Sequence, residues 1–125
     1  MAEKSQARPD RPAPTPLVHF QIDEQVERLK QEPAWRSGSR NAITLTKEPT
    51  LRLVLMLLGK GTTLHEHQAA GPLTLHVLSG LVSFRTADGT EQVQPGEVVV
   101  LEAAVEHEVE ALEESACLLS LVGTS

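Results

Sequence analysis

The chain has 125 residues, enough for one domain with a real core and too few for two. No run of about 18 apolar residues offers a membrane span, and the first residues lack the apolar stretch of a secretory signal, so a cytoplasmic location without a membrane partner is the default expectation. The formal net charge is −6, and after Arg85 there is no lysine or arginine while nine acids follow from Asp88 to Glu114, a surface that repels phosphate backbones and speaks against a nucleic-acid partner.

Pro9, Pro12, Pro14 and Pro16 fall among charged and small residues, which predicts a disordered, proline-rich tail over residues 1–16. The folded part is expected to begin near Leu17, with His19 exposed at the junction. Ile22, Val26 and Leu29 recur at helical spacing behind Asp23, a plausible N-cap, and Pro33 closes the pattern. Residues 17–38 therefore form a helical segment, with one short amphipathic helix packed on the outside of a sheet.

From Ser39 the period changes from helical to alternating. Turn signals stand at Pro49, Gly59 to Gly61, Gly71-Pro72, Gly80, Asp88-Gly89 and Pro95-Gly96, so residues 39–125 read as an all-β sandwich or barrel. Leu51, Leu53, Leu55 and Leu57 line one face of a strand, while Val54, Met56 and Leu58 make its other face apolar too. Such a strand needs two burials. One face fills the barrel and the other meets the helix or a second copy, which predicts a homodimer.

Val105 to Ala111 alternates so that Glu106, Glu108 and Glu110 share one face and His107 points inward on the other. A single inward histidine reads as a core residue satisfied by a backbone carbonyl. His65 and His67 form a His-x-His pair, which on a strand places both rings on one face, close enough to share an ion. With His107 they make a candidate site for one divalent metal ion, in which each ring gives a lone pair to the cation and its other nitrogen donates to a neighbouring acceptor.

At these residues the sequence resembles the cupin superfamily, over most of Leu51 to Leu121. Gly59, His65-Glu66-His67 and Val77-Leu78-Ser79-Gly80 are similar to the first cupin motif. Pro95-Gly96-Glu97-Val98-Val99, followed by His107, is similar to the second. The resemblance implies a jelly-roll β-barrel, here with a short N-terminal helix. It says little about the reaction. Two positions depart from the pattern: Leu73 stands where a glutamate ligand is usual, and Leu101-Glu102-Ala103 replaces the usual proline.

Without that carboxylate, a divalent ion (iron, manganese, nickel or zinc) would keep its full charge and open positions, favouring small anionic chelating ligands. By resemblance to three-histidine cupins such as cysteine dioxygenase, a dioxygenase-like activity is the most specific expectation. The alternatives are a noncatalytic small-molecule-binding barrel and a metal-free structural one. No general acid or base stands at the matched positions, and only Phe20, Trp35 and Phe84 are available for stacking.

Other residues have plain readings. Cys117 sits in an apolar run and is expected to be a buried, inert thiol. His76 should leave its strand on the face opposite Leu73, Leu75 and Val77, at a packing surface or dimer contact. Gln68 could supply a weak fourth ligand. Gly80, Gly89 and Gly96 fit turns that require positive φ. No glycine-rich loop opens a helix, so nothing supports a phosphate cradle.

Overall fold

The computed structural model describes residues 16–66 and 69–123. The proline-rich segment before Pro16 lies outside that range, so the predicted tail is not part of the description. The chain enters through helix α1 (Ile22–Gln31) and the single-turn helix α2 (Pro33–Arg36). Nine strands follow: β1 (Arg40–Glu48), β2 (Leu51–Leu58), β3 (Thr63–Glu66), β4 (Leu73–Ser79), β5 (Val82–Thr86), β6 (Gly89–Val93), β7 (Val98–Leu101), β8 (His107–Ala111) and β9 (Ser115–Val122). The predicted turn signals fall between strands, with Gly89 of the Asp88-Gly89 pair opening β6.

The strands form a five-stranded sheet in the order β1-β2-β9-β4-β7 and a four-stranded sheet in the order β3-β8-β5-β6, with antiparallel pairing throughout. This is the all-β architecture that the alternation predicted, and the jelly roll with a short N-terminal helix that the cupin resemblance implied. Between the sheets, Leu58, Leu64, Val77, Val82, Phe84, Val93, Val109, Ala111 and Cys117 form one buried cluster. Period-two geometry puts these residues on the inner faces of their strands.

β2 is buried on both sides, as its sequence requires. Its even-numbered residues face the space between the sheets. Leu55 and Leu57 instead join Ile43, Leu45, Leu29 and Ala116 in a second cluster on the outside, under α1, with Val26, Ile22 and Trp35 packed against it. Burying each such side chain is worth about 1.5–3 kcal/mol, which is how a short helix stays docked on the sheet.

Asn41 fixes the angle of that docking. It is buried, and its Nδ2 donates to the Leu29 carbonyl at 3.0 Å and to Glu32 Oε1 at 3.0 Å, while its Oδ1 accepts from the Ala42 N–H at 2.9 Å. The Leu29 carbonyl is one of the groups that a helix C-terminus leaves unsatisfied. The helix begins two residues earlier than its capping pattern suggested. Gln21 occupies the N-cap without a side-chain bond, and Asp23 lies inside the first turn, where its charge opposes the positive end of the helix dipole. Pro33 follows the helix end and then opens α2, a position where its missing N–H costs nothing.

Gly80 has φ of 92°, and a Cβ there would lie 2.2 Å from Ser115 Oγ, so the β4–β5 turn needs glycine for both conformation and space. Ser115 is itself buried, and its Oγ accepts from the Leu81 N–H at 3.0 Å and donates to the Glu113 carbonyl at 2.7 Å. These bonds join the β4–β5 and β8–β9 connections at the closed end of the barrel.

Candidate ligand site

A cavity of about 390 Å³ lies between the sheets. The five-stranded sheet lines it with Arg52, Val54 and Met56 from β2, Leu73 and Leu75 from β4, and Leu119 and Leu121 from β9. Leu64, Phe84, Val109 and His107 line it from the other sheet. Its size falls within the usual range for small-molecule sites, about 300–1,000 Å³.

Register fixes which end is open. Leu58, Val77, Val82 and Ala111 fill the interior at one end and do not reach the cavity. Going away from them along β2, the lining runs from Met56 through Val54 to Arg52, and along β8 from Val109 to His107. Arg52 and His107 therefore stand at the same end, beside Ala69 and Ala70, which also line the opening. Among the described residues they are the lining residues with polar side chains.

The two side chains have different environments. His107 is buried, at 8% exposure, and its ring stacks on Phe84 with centroids 5.4 Å apart and 5° between planes. Its Nδ1 lies 3.1 Å from the Val105 carbonyl. A carbonyl only accepts, so Nδ1 carries the proton, and in the neutral ring Nε2 is left with a lone pair. Arg52 pairs in register with Leu121, which pairs with Leu73. Its Nε is shut off from solvent and has no hydrogen-bond partner. A buried donor in that state costs about 1–3 kcal/mol unless something accepts from it.

His107 is inward, as the alternation predicted. His65 is not. Leu64 takes the inward position opposite Val109, so the next residue of β3 is forced to the outer face. There the His65 side chain is 75% exposed, cross-strand from Glu108, with Nδ1 2.7 Å from Glu108 Oε2. Arg85, opposite Glu108 on β5, reaches its other oxygen. His65, Glu108 and Arg85 thus make an ion-paired row outside the barrel, where a ligand of the interior metal site had been expected. His67 and Gln68 lie outside the described residues. Among the described residues no three histidines, cysteines or acids are grouped to hold a metal, and one imidazole alone faces the cavity. With His67 outside the described residues, a three-histidine centre is not assembled among the described residues.

Leu73 lines the cavity where a carboxylate ligand would have stood, and His76 leaves by the opposite face of β4, as period two requires. Glu102 and His19 are exposed. Cys117 is buried between the sheets, and desolvation pushes its thiol up to about 12.

No protein-family model matches the sequence, and no curated protein does. Solved structures do. A cupin 2 conserved barrel domain protein from Leptotrichia buccalis superposes with a TM-score of 0.65 at 32% identity, over 68% of this chain and 41% of that one. By its fold, this chain is a small cupin. A conserved protein of unknown function from Streptococcus pyogenes matches the cupin at a TM-score of 0.66 and 26% identity, over 78% of this chain and 85% of that one. Salicylate 1,2-dioxygenase from Pseudoaminobacter salicylatoxidans, in a structure of its adducts with gentisate, reaches a TM-score of 0.70 at 15% identity, over 82% of this cupin and 32% of the enzyme. That likeness is one of fold.

Arg52 was not among the candidate residues, although the sequence carries a signal for it. It is the one charge in the apolar run Leu51 to Leu58, at the same parity as Val54, Met56 and Leu58. A charge on the inner face of a barrel strand has to have a use or a partner.

Proposed function

We propose that this cupin is a small-molecule-binding barrel that takes a compact, mostly apolar organic ligand between its sheets. The observation that carries this reading is the cavity itself, open at one end and lined by aliphatic side chains with two polar groups gathered at the mouth. Pockets for organic ligands combine an apolar body with a few polar groups that set orientation. Phe84 offers an aromatic face, already stacked on His107.

A dioxygenase activity would need a redox metal. The fold is compatible with one and the neighbouring salicylate dioxygenase shares it, but fold alone does not carry a reaction. His107 is the single described residue placed as an interior ligand, with Nδ1 held by a backbone carbonyl and Nε2 left over. Binding is therefore the reading the described side chains support best.

The test is direct binding of a neutral apolar fluorophore such as naphthol, followed by titration, beside a Leu119→Trp variant that fills the cavity. Saturable binding near one equivalent, abolished by the filled cavity in a variant with unchanged circular dichroism, is the expected result. Binding that survives Leu119→Trp would place the probe elsewhere and end the reading.

We also infer a second copy of this chain as the partner of the outer sheet face that α1 leaves uncovered. Register lines up Leu118, His76 and Val98 in one row of that face, and Leu53, Ser120, Thr74 and Val100 in the next. Val98 and Val100 are 52% and 71% exposed. None of these residues is charged, in a chain of net charge −6. Two acidic copies can approach on such a face without like charges meeting.

A further inference from the structure

We propose that the ligand is a hydroxy acid: an apolar body inserted toward Leu75 and Val109, a carboxylate received by Arg52, and a hydroxyl that donates to His107 Nε2. This deepens the binding-barrel reading and rests on it. Three observations carry it. Arg52 is a permanent cation in an otherwise aliphatic wall, and its Nε is buried with no acceptor. A planar carboxylate supplies the acceptors that such a guanidinium lacks, through charge-assisted bonds stronger than neutral ones. Among the described residues no acidic side chain lines the cavity to compete for that role.

His107 supplies the second specification. Because the Val105 carbonyl fixes the proton on Nδ1, the neutral ring presents an acceptor to the site. A carboxylate alone would meet a lone pair there; a hydroxyl gives it a proton to share. Stacking on Phe84 holds the plane of the ring, and the bond from Nδ1 to the Val105 carbonyl would be lost if the ring flipped within it. The lengthwise order follows from register, since both polar residues stand at the mouth and everything deeper is aliphatic or aromatic. The ligand enters apolar end first.

The experiment measures the affinities of naphthalene, naphthol, naphthoate and the isomeric hydroxynaphthoates for the whole chain by fluorescence titration. Variants are Arg52→Gln, Arg52→Lys and His107→Phe, each checked by circular dichroism. The expected order for the wild type is at least one hydroxynaphthoate tightest, then naphthoate, then the neutral probes. Arg52→Gln should weaken the carboxylates by about tenfold or more and leave naphthol unchanged, since hydrogen bonds to a charged group are the ones lost. Arg52→Lys keeps the charge and should retain part of the preference, which separates the role of charge from any loss of folding. His107→Phe should remove the advantage of the hydroxyl and not that of the carboxylate.

Naphthol and naphthoate binding equally, with no response to Arg52→Gln, would overturn the hydroxy-acid assignment while leaving the binding barrel standing. Hydroxyl preference that survives His107→Phe would remove the second half of the assignment. If none of the probes binds the wild type, both the assignment and the reading beneath it fall.

Discussion

His65 and His107 lie on opposite faces of the β3–β8 pair, His65 outside with Nδ1 against the Glu108 carboxylate, His107 inside and stacked on Phe84. Their sequence signals look alike, yet the strand between the sheets divides them. A metal content that depends on both residues is therefore not expected. In protein purified without chelators, elemental mass spectrometry should give the same metal content for the wild type and for His65→Ala. About one equivalent of a divalent ion, lost in His65→Ala and in His107→Ala alike, would show that the three histidines do converge.

Asn41 ties the helix to the sheet through bonds that no other residue can replace. Its two donors serve the Leu29 carbonyl and Glu32, and its oxygen serves the Ala42 N–H. Asn41→Ala removes all of these from a buried position, and the expected loss in urea unfolding is about 1–3 kcal/mol. Hydrogen exchange in α1 should speed up more than in β4 or β9, because the apolar contacts of the helix remain while its anchor is gone. Equal changes in all three would show that the helix and the sheet open together, whatever Asn41 does.

How far the fold could be read from sequence differs by element. β2 and β8 were legible because each alternates against a clear background: leucines on one side of β2 and glutamates on one side of β8. Glycine and proline marked the turns. β3 was not legible, since its four residues include one core aliphatic, Leu64, and a run that short does not declare its inward parity. The His-x-His spacing says that two rings share a face and is silent about which face. Arg52 was hidden for the opposite reason, as one polar residue in a strand whose apolar run draws all the attention. The N-cap of α1 was misplaced by two residues because Asp23 has the right chemistry two positions too late, which is the common failing of helix boundaries.

The same burial that shapes the core makes a prediction for Cys117. Desolvation raises its thiol from 9.0 to about 12, so the folded chain holds the proton where the unfolded chain has released it. The thiolate is the reactive form. Native protein near pH 8 should therefore fail to react with a disulfide reagent such as Ellman's, whereas protein in guanidinium should react fully. The sign for stability follows from linkage. Between 9.0 and about 12 the native state binds more protons than the unfolded state, so this group's contribution is complete below 9.0 and is lost as pH rises through that window. Rapid labelling of the native chain at neutral pH, at a rate above that of global unfolding, would show that the sheets part locally around β9.

The outer face of the five-stranded sheet offers the last test. β7 is its edge strand, with Val98 and Val100 turned outward beside His76 and Thr74. Burial of such a patch by a second copy is favourable at about 25 cal/mol per Å² of apolar surface, and it meets no charge. Val100→Asp changes that balance without touching the interior, since the residue is exposed and its inward neighbours Val99 and Leu101 are left in place. In a symmetric contact the new carboxylate occurs in both copies, so its desolvation and repulsion are counted twice. Light scattering after size exclusion should therefore give a dimer for the wild type and a monomer for Val100→Asp. The monomeric stability should stay within about 0.5 kcal/mol, as for ordinary surface substitutions. A wild-type monomer at micromolar concentration would leave the exposed valines without a partner from this chain, and a dimer that tolerates Val100→Asp would place the interface on another face.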